Sequence, residues 1–206
     1  WSSVGPGAGF VDFYVYQKQQ DKPRPAHQHK ALHIYDTVDY ALNLYNVPVV
    51  TYGGEKDAQL VASTTMADLA KNLDVPCKLL VGPGMGHKFH PDSFKEFMAF
   101  HALRTKAGRP SYPGASSLRF TTWTVKYNRC EWLKVAEQER HLEQTTVEGG
   151  LTKNGTLILR TKNAAALQIA RDMARQIVID GNQLPLNSAA DQLLPDVYYV
   201  KDGGEW

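Results

Sequence analysis

Residues 78–94 read KLLVGPGMGHKFHPDSF, an apolar run that ends in three closely spaced glycines and places His87 just past the last of them. A buried-type strand that closes on glycines and feeds a helix is half of a βαβ unit. The other half lies upstream. NVPVVTYGGEKD, residues 46–57, carries the apolar and β-branched run Val47 to Thr51 (interrupted by Pro48), then Tyr52 and a Gly-Gly turn. DAQLVASTTMADLAKNLD, 57–74, puts Leu60, Val61, Met66, Leu69, Ala70 and Leu73 on one helical face. HPDSFKEFMAFHALRTKAG, 90–108, offers Asp92 or Ser93 as N-cap, apolar Phe94, Phe97, Met98 and Leu103, and a terminal Gly108. Strand, helix, strand, helix predicts an α/β fold over residues 1–109, a parallel sheet with flanking helices.

GRPSYPGASS, 108–117, concentrates Gly, Pro and small polar residues, and 110–117 is read as a linker. Beyond it the period changes. LRFTTWTVKYNRCEWLKV, 118–135, alternates with period two, and GTLILRTKN, QIVIDGNQL and DVYYVKDGG are short strands divided by Asn-Gly, Asp-Gly and Asp-Gly-Gly turn signals. AAALQIARDMARQ, 164–176, fits a short helix or another strand equally well. Residues 118–206 are thus expected to form a small β-rich, sandwich-like module.

With 206 residues the chain is long enough for one large or two small cores. Lys+Arg 23 against Asp+Glu 21 is too balanced to mark a nucleic-acid surface, and no stretch approaches the roughly 20 apolar residues of a membrane span. Cys77 and Cys130 belong to no CxxC pair, which argues against a disulfide framework or zinc knuckle and leaves the compartment, cytoplasmic or exported, open. No cofactor is expected. The chain opens on WSSVGPGAGF without an initiator Met, so it reads as a piece or processed form of a longer protein.

Parallel α/β sheets present their functional groups at the carboxyl ends of the strands. Asp57 falls just past one such end and His87 just past the next. An acid followed by a histidine, each in a glycine-bearing loop, has the order of the acid–histidine half of a Ser…Asp…His triad. The carboxylate would orient the imidazole, and the imidazole would take and return a proton. On spacing alone a turn-capping Asp and an idle loop histidine explain the same residues about as well.

VPVVTYGGEKD and GPGMGHKFHPDS resemble the acid loop and histidine loop of the α/β-hydrolase fold. The closer likeness is to prolyl-oligopeptidase-type serine hydrolases and related esterases. SVGPGAGFVDFY resembles the strand and loop that follow the nucleophile helix there, so the resemblance spans about residues 3–104. It implies a partial α/β-hydrolase domain with Asp57 as triad acid and His87 as general base. The implied substrate is a small-molecule ester, a lactone or a peptide. Phe10, Tyr14, Met85 and His90 are the candidate substrate-binding residues; core packing explains the aromatics beside the glycine loop equally well, and a structural role beside Pro91 explains His90. The family's Gly-x-Ser-x-Gly elbow occurs nowhere in this chain. The nucleophile is therefore expected to be a serine outside it, or a water activated by His87.

Two other readings remain. A non-catalytic fragment would use its β module, with Trp123, Tyr127 and Trp132 as a contact strip, to bind a partner or glycan. A metal-dependent hydrolase would use His27, His29 and His33, of which His29 and His33 stand at i, i+4; a solvated histidine-rich helix start explains them more simply. A sheet without its leading strands would expose an edge. Homo-oligomerisation, pairing with a missing N-terminal segment, or cover by the β module is the expected remedy.

Overall fold

The computed structural model describes residues 1–7, 9–19, 22–185 and 194–206. The chain combines helices with several sheets and divides into two compact units, Trp1–Arg109 and Pro110–Trp206.

Unit 1 is organised on the parallel pair β1 (Val49–Gly54) and β2 (Cys77–Gly82), in register from Val49–Cys77 to Gly54–Gly82. Residues 4 and 7 add parallel bridges to Val49 and Tyr52 on the other side of β1. Every residue of β1 is buried, as a central strand requires. Ahead of β1 come α1 (Phe13–Gln17), α2 (Ala26–Leu32) and a 3-10 stretch over Thr37–Asn46. Asp12 caps α1, its carboxylate accepting the Val15 N–H.

Helix α3 (Leu60–Asn72) joins β1 to β2 and α4 (Pro91–Ala107) follows β2. The buried face of α3 is Ala62, Ser63, Met66 and Ala70, while Val61 and Leu73 point outward, so the expected face is rotated. Ser63 is the reason. Its hydroxyl donates to the Tyr52 carbonyl and accepts from the Thr51 hydroxyl, fastening a polar side chain to the sheet where an apolar one was expected. Small Ala62 and Ala70 then permit the close approach.

The N-cap of α4 is His90, whose Nδ1 accepts the Asp92 N–H, and not Asp92 or Ser93. Pro91 takes the first helical position, where a missing N–H costs nothing. Phe97 and Phe100 pack against Val50, Tyr52 and Leu80; Phe94, Met98 and Leu103 stay exposed. The narrow sheet meets only part of the apolar surface of this helix.

Asp36 ties the start of the 3-10 stretch to α1, accepting the Phe13 N–H at 2.9 Å. Burial pushes its carboxyl pKa up; the Phe13 hydrogen bond opposes this, and Asp12 and Asp39 add to it. A raised folded-state value means the fold holds this proton more tightly than the unfolded chain does. The group therefore stabilises below its ordinary value of 3.8 and loses that contribution as pH rises through the raised value. Asp36→Asn should gain in unfolding free energy relative to wild type as pH climbs from 3.8 toward neutrality. Paired urea titrations across that range check it, and a pH-independent difference would contradict it.

Among its described residues, unit 2 is β-structured apart from turns, loops and short 3-10 segments. One sheet has the order β10-β9-β7-β6-β3, the other β11-β8-β5-β4. The strands are β3 (Ser117–Thr122), β4 (Arg129–Cys130), β5 (Leu133–Gln138), β6 (Thr145–Leu151), β7 (Thr156–Lys162), β8 (Ala164–Ala170), β9 (Gln176–Ile179), β10 (Asn182–Leu184) and β11 (Asp196–Val200). Alternate residues of both sheets, among them Leu133, Val147, Leu157, Leu167, Ile169 and Ile177, close a single core. The β9–β10 turn places Asp180 and Gly181 at φ 50° and 89°, the positive pair a tight two-residue hairpin needs.

The ambiguous stretch 164–176 is strand β8 with a 3-10 turn at Arg171–Met173, so Arg171 and Arg175 share no helical face. The alternation read through 118–135 stops at Thr122. The Thr122 hydroxyl donates to the Thr124 carbonyl, and the Thr124 hydroxyl accepts the Lys126 N–H; these local bonds divert the backbone from the ladder. Trp132 is a core residue whose Nε1–H donates to the Ala115 carbonyl, so Trp123, Tyr127 and Trp132 form no common strip. The same bond, with Glu131 accepting the Ala115 N–H, fastens the end of the 110–117 stretch to unit 2, and Ser117 already opens β3.

Leu167 is completely buried in this core. Leu167→Ala should lower the stability of unit 2 by about 3 kcal/mol through lost transfer energy and a residual cavity. Urea unfolding followed by tryptophan fluorescence reads this directly, because three of the four tryptophans (Trp123, Trp132 and Trp206) belong to unit 2. An unchanged midpoint would show that the site collapses around the smaller side chain.

Candidate functional site

The site lies where β1 and β2 end side by side, and glycines make it possible. A Cβ at Gly54 would stand 2.1 Å from the Gly86 carbonyl oxygen and 2.5 Å from that of Met85. A Cβ at Gly82 would stand 2.0 Å from the Tyr52 hydroxyl. The loop after β1 and the loop after β2 therefore touch backbone to backbone. Glu55 N–H donates to the Gly82 carbonyl at 2.9 Å and Lys56 N–H to that of Met85 at 2.8 Å.

Asp57 and His87 meet across these loops, with His87 Nδ1 2.9 Å from Asp57 Oδ2. The other carboxylate oxygen accepts the Gln59 N–H at 2.9 Å. The Asp57 side chain is 8% exposed and that of His87 70%. A shielded carboxylate thus holds one nitrogen of the ring and leaves the other toward solvent. That is the arrangement an acid needs to fix an imidazole tautomer while the second nitrogen exchanges protons.

A cavity of about 450 Å³ abuts the acid loop, lined in part by Phe10, Val15, Tyr16, Gln59, Val61 and Ala62. Gln59 connects the two features, since its backbone holds Asp57 and its residue walls the cavity. Phe10 also borders a smaller cavity of about 170 Å³ that reaches Ser63 and Cys77.

The remaining sequence candidates fare differently. Tyr14 lies outside both cavity walls, its hydroxyl 2.5 Å from His29 Nδ1. Met85 sits in the histidine loop and contributes its carbonyl to the Lys56 N–H. His90 is the helix cap described above, a structural role that occupies its Nδ1. His29 pairs with Tyr14 and His33 with Asp39 at 2.7 Å, and among the described residues no three His, Cys, Asp or Glu side chains gather to hold a metal ion. His27, His29 and His33 are dispersed because α2 stops at Leu32 and each of the last two histidines turns to its own partner.

Several other candidate nucleophiles of unit 1 are occupied or unreactive. Ser63 is hydrogen-bonded inside the fold, Ser93 is buried, and Ser3 meets His101 Nδ1 at 2.8 Å beside the amino ends of the strands. Burial pushes the Cys77 thiol pKa up, away from thiolate. Ser188 lies outside the described residues.

Sequence reasoning missed Tyr52, Glu55, Gly54 and Gly82 as builders of the site. The repeated glycines were the available signal; the hydroxyl and carboxylate contacts depend on which loops meet. Searches against protein-family models, curated proteins and solved structures found no match. Among the described residues no helix is long and apolar enough to cross a membrane.

Proposed function

We propose that unit 1 is the carboxyl-terminal part of an α/β-hydrolase domain and that Asp57 and His87 are the acid and general base of a hydrolase. The substrate is a carboxylic ester, a lactone or a peptide. The observation that carries this reading is the 2.9 Å contact between the shielded Asp57 and the solvent-facing His87 at the carboxyl ends of adjacent parallel strands. The parallel bridges of residues 4 and 7 to β1 and the resemblance of the two loops to prolyl-oligopeptidase-type enzymes support the fold assignment. The cavity beside Gln59 supplies room for an apolar substrate group.

In this mechanism Asp57 accepts the Nδ1 proton of His87 as a hydrogen bond and stabilises the imidazolium as it forms. Nε2 removes a proton from the nucleophile and returns it to the leaving group. The nucleophile is a serine supplied from outside this chain or, in the chain alone, a water. A partner copy or a segment covering the exposed apolar surface of β2 and α4 around Val81, Phe94 and Met98 belongs to the same proposal. Light scattering of the purified chain tests it, and a lone monomer at micromolar concentration would count against a second copy.

The decisive comparison is hydrolysis of a small activated ester and a medium-chain lactone by wild type and His87→Ala. Turnover that falls to the buffer rate in the variant is expected. Equal rates in both would overturn the reading.

A further inference from the structure

The histidine loop is held at two points that the acid–base contact does not explain. Ahead of His87, the Glu55 carboxylate accepts the Gly84 N–H at 2.6 Å. Behind it, the Tyr52 hydroxyl donates to the Lys88 carbonyl at 2.9 Å and accepts the His90 N–H at 2.9 Å. Both side chains come from β1 or the residue immediately after it, the same strand that delivers Asp57. His87 itself is largely exposed, so packing does little to fix its ring.

Each of the glycines at 82, 84 and 86 loses more conformational freedom on ordering than any other residue would. Something must offset that cost if Nδ1 is to stay within hydrogen-bonding distance of Asp57. Backbone contacts hold the loop at Gly82 and Met85. The side-chain contacts at Gly84, Lys88 and His90 bracket the histidine. Tyr52 also stacks on Phe89 with centroids 4.1 Å apart, so its ring is set before its hydroxyl is used.

We infer that Glu55 and Tyr52 are positioning residues, a two-point clamp through which β1 fixes the backbone of residues 84–90 and thereby the alignment of His87 on Asp57. The inference rests on the acid–base reading for its purpose, but the clamp has its own observables. Glu55 is exposed, so Glu55→Ala should fold normally, and Tyr52→Phe keeps the buried ring and its stacking while removing only the hydroxyl.

The test is NMR of the full chain, reading two quantities in wild type, Glu55→Ala, Glu55→Gln and Tyr52→Phe. The first is amide hydrogen exchange over residues 84–90. The second is solvent exchange of the low-field His87 Nδ1 proton facing Asp57, which a merely stabilising role elsewhere in the fold would leave alone. Each of Glu55→Ala and Tyr52→Phe should accelerate both about tenfold, the loss expected for hydrogen bonds of ordinary strength. Glu55→Gln, which keeps an acceptor oxygen, should restore the wild-type values.

Exchange within twofold of wild type in either Glu55→Ala or Tyr52→Phe would overturn the clamp. If wild type shows no low-field Nδ1 proton, the acid–base reading fails while the backbone exchange still decides the clamp. Faster amide exchange with an unchanged Nδ1 proton would overturn the positioning role.

Discussion

Asp57→Asn should reduce His87-dependent hydrolysis by up to about 10⁴-fold, the loss seen when a triad acid is replaced by its amide in a serine protease. The change keeps the shape of the side chain. One oxygen still accepts the Gln59 N–H, so the turn survives. The amide nitrogen then occupies the place of Oδ2, 2.9 Å from His87 Nδ1, and donates where the carboxylate accepted. The imidazole answers by moving its proton to Nε2, the atom that has to be empty to act as a base. Stability should therefore change little while turnover collapses, with a reversed His87 tautomer in ¹⁵N NMR. Wild-type turnover in a folded Asp57→Asn protein would remove Asp57 from the mechanism.

Gly54→Ala should destabilise unit 1 by about 3 kcal/mol, at the upper end of the usual penalty for overpacking. The new methyl group would stand 2.1 Å from the Gly86 oxygen and 2.5 Å from the Met85 oxygen, and both are backbone atoms that no rotamer change can move aside. The loops must separate. Relief would come at the expense of the Lys56 to Met85 hydrogen bond and the Asp57–His87 contact, so activity should fall with stability. Gly86→Ala is the control, because a Cβ there meets nothing within 4 Å. Thermal unfolding of the two variants side by side gives the answer. Equal stability would mean that the loops approach less closely than these distances imply.

Much of this arrangement is legible in the sequence because it is set by local chemistry. The apolar runs that end at Gly54 and Gly82 mark strand ends whatever surrounds them, and Asp57 and His87 follow at fixed chain distances. Asp180-Gly181 announces its hairpin through the positive φ the turn demands. The substrate-side candidates were less legible. Phe10 reaches a cavity wall, whereas Tyr14 turns to His29 and His90 is used up as a cap. A side chain's hydrogen-bond partner depends on a neighbour far along the chain, which periodicity cannot reveal.

By itself the sequence determined where strands end, where turns fall and which two titratable groups share one end of a parallel sheet, since steric limits on glycine and the apolar period act over a few residues. Only the tertiary structure decided that Ser63 faces the sheet, that Trp132 is core, that 164–170 is a strand, and that Tyr52 and Glu55 bracket the histidine loop. Each of these follows from which distant backbone groups need a partner once the chain has closed on itself, and burial makes leaving such a group unpaired costlier than breaking a local pattern.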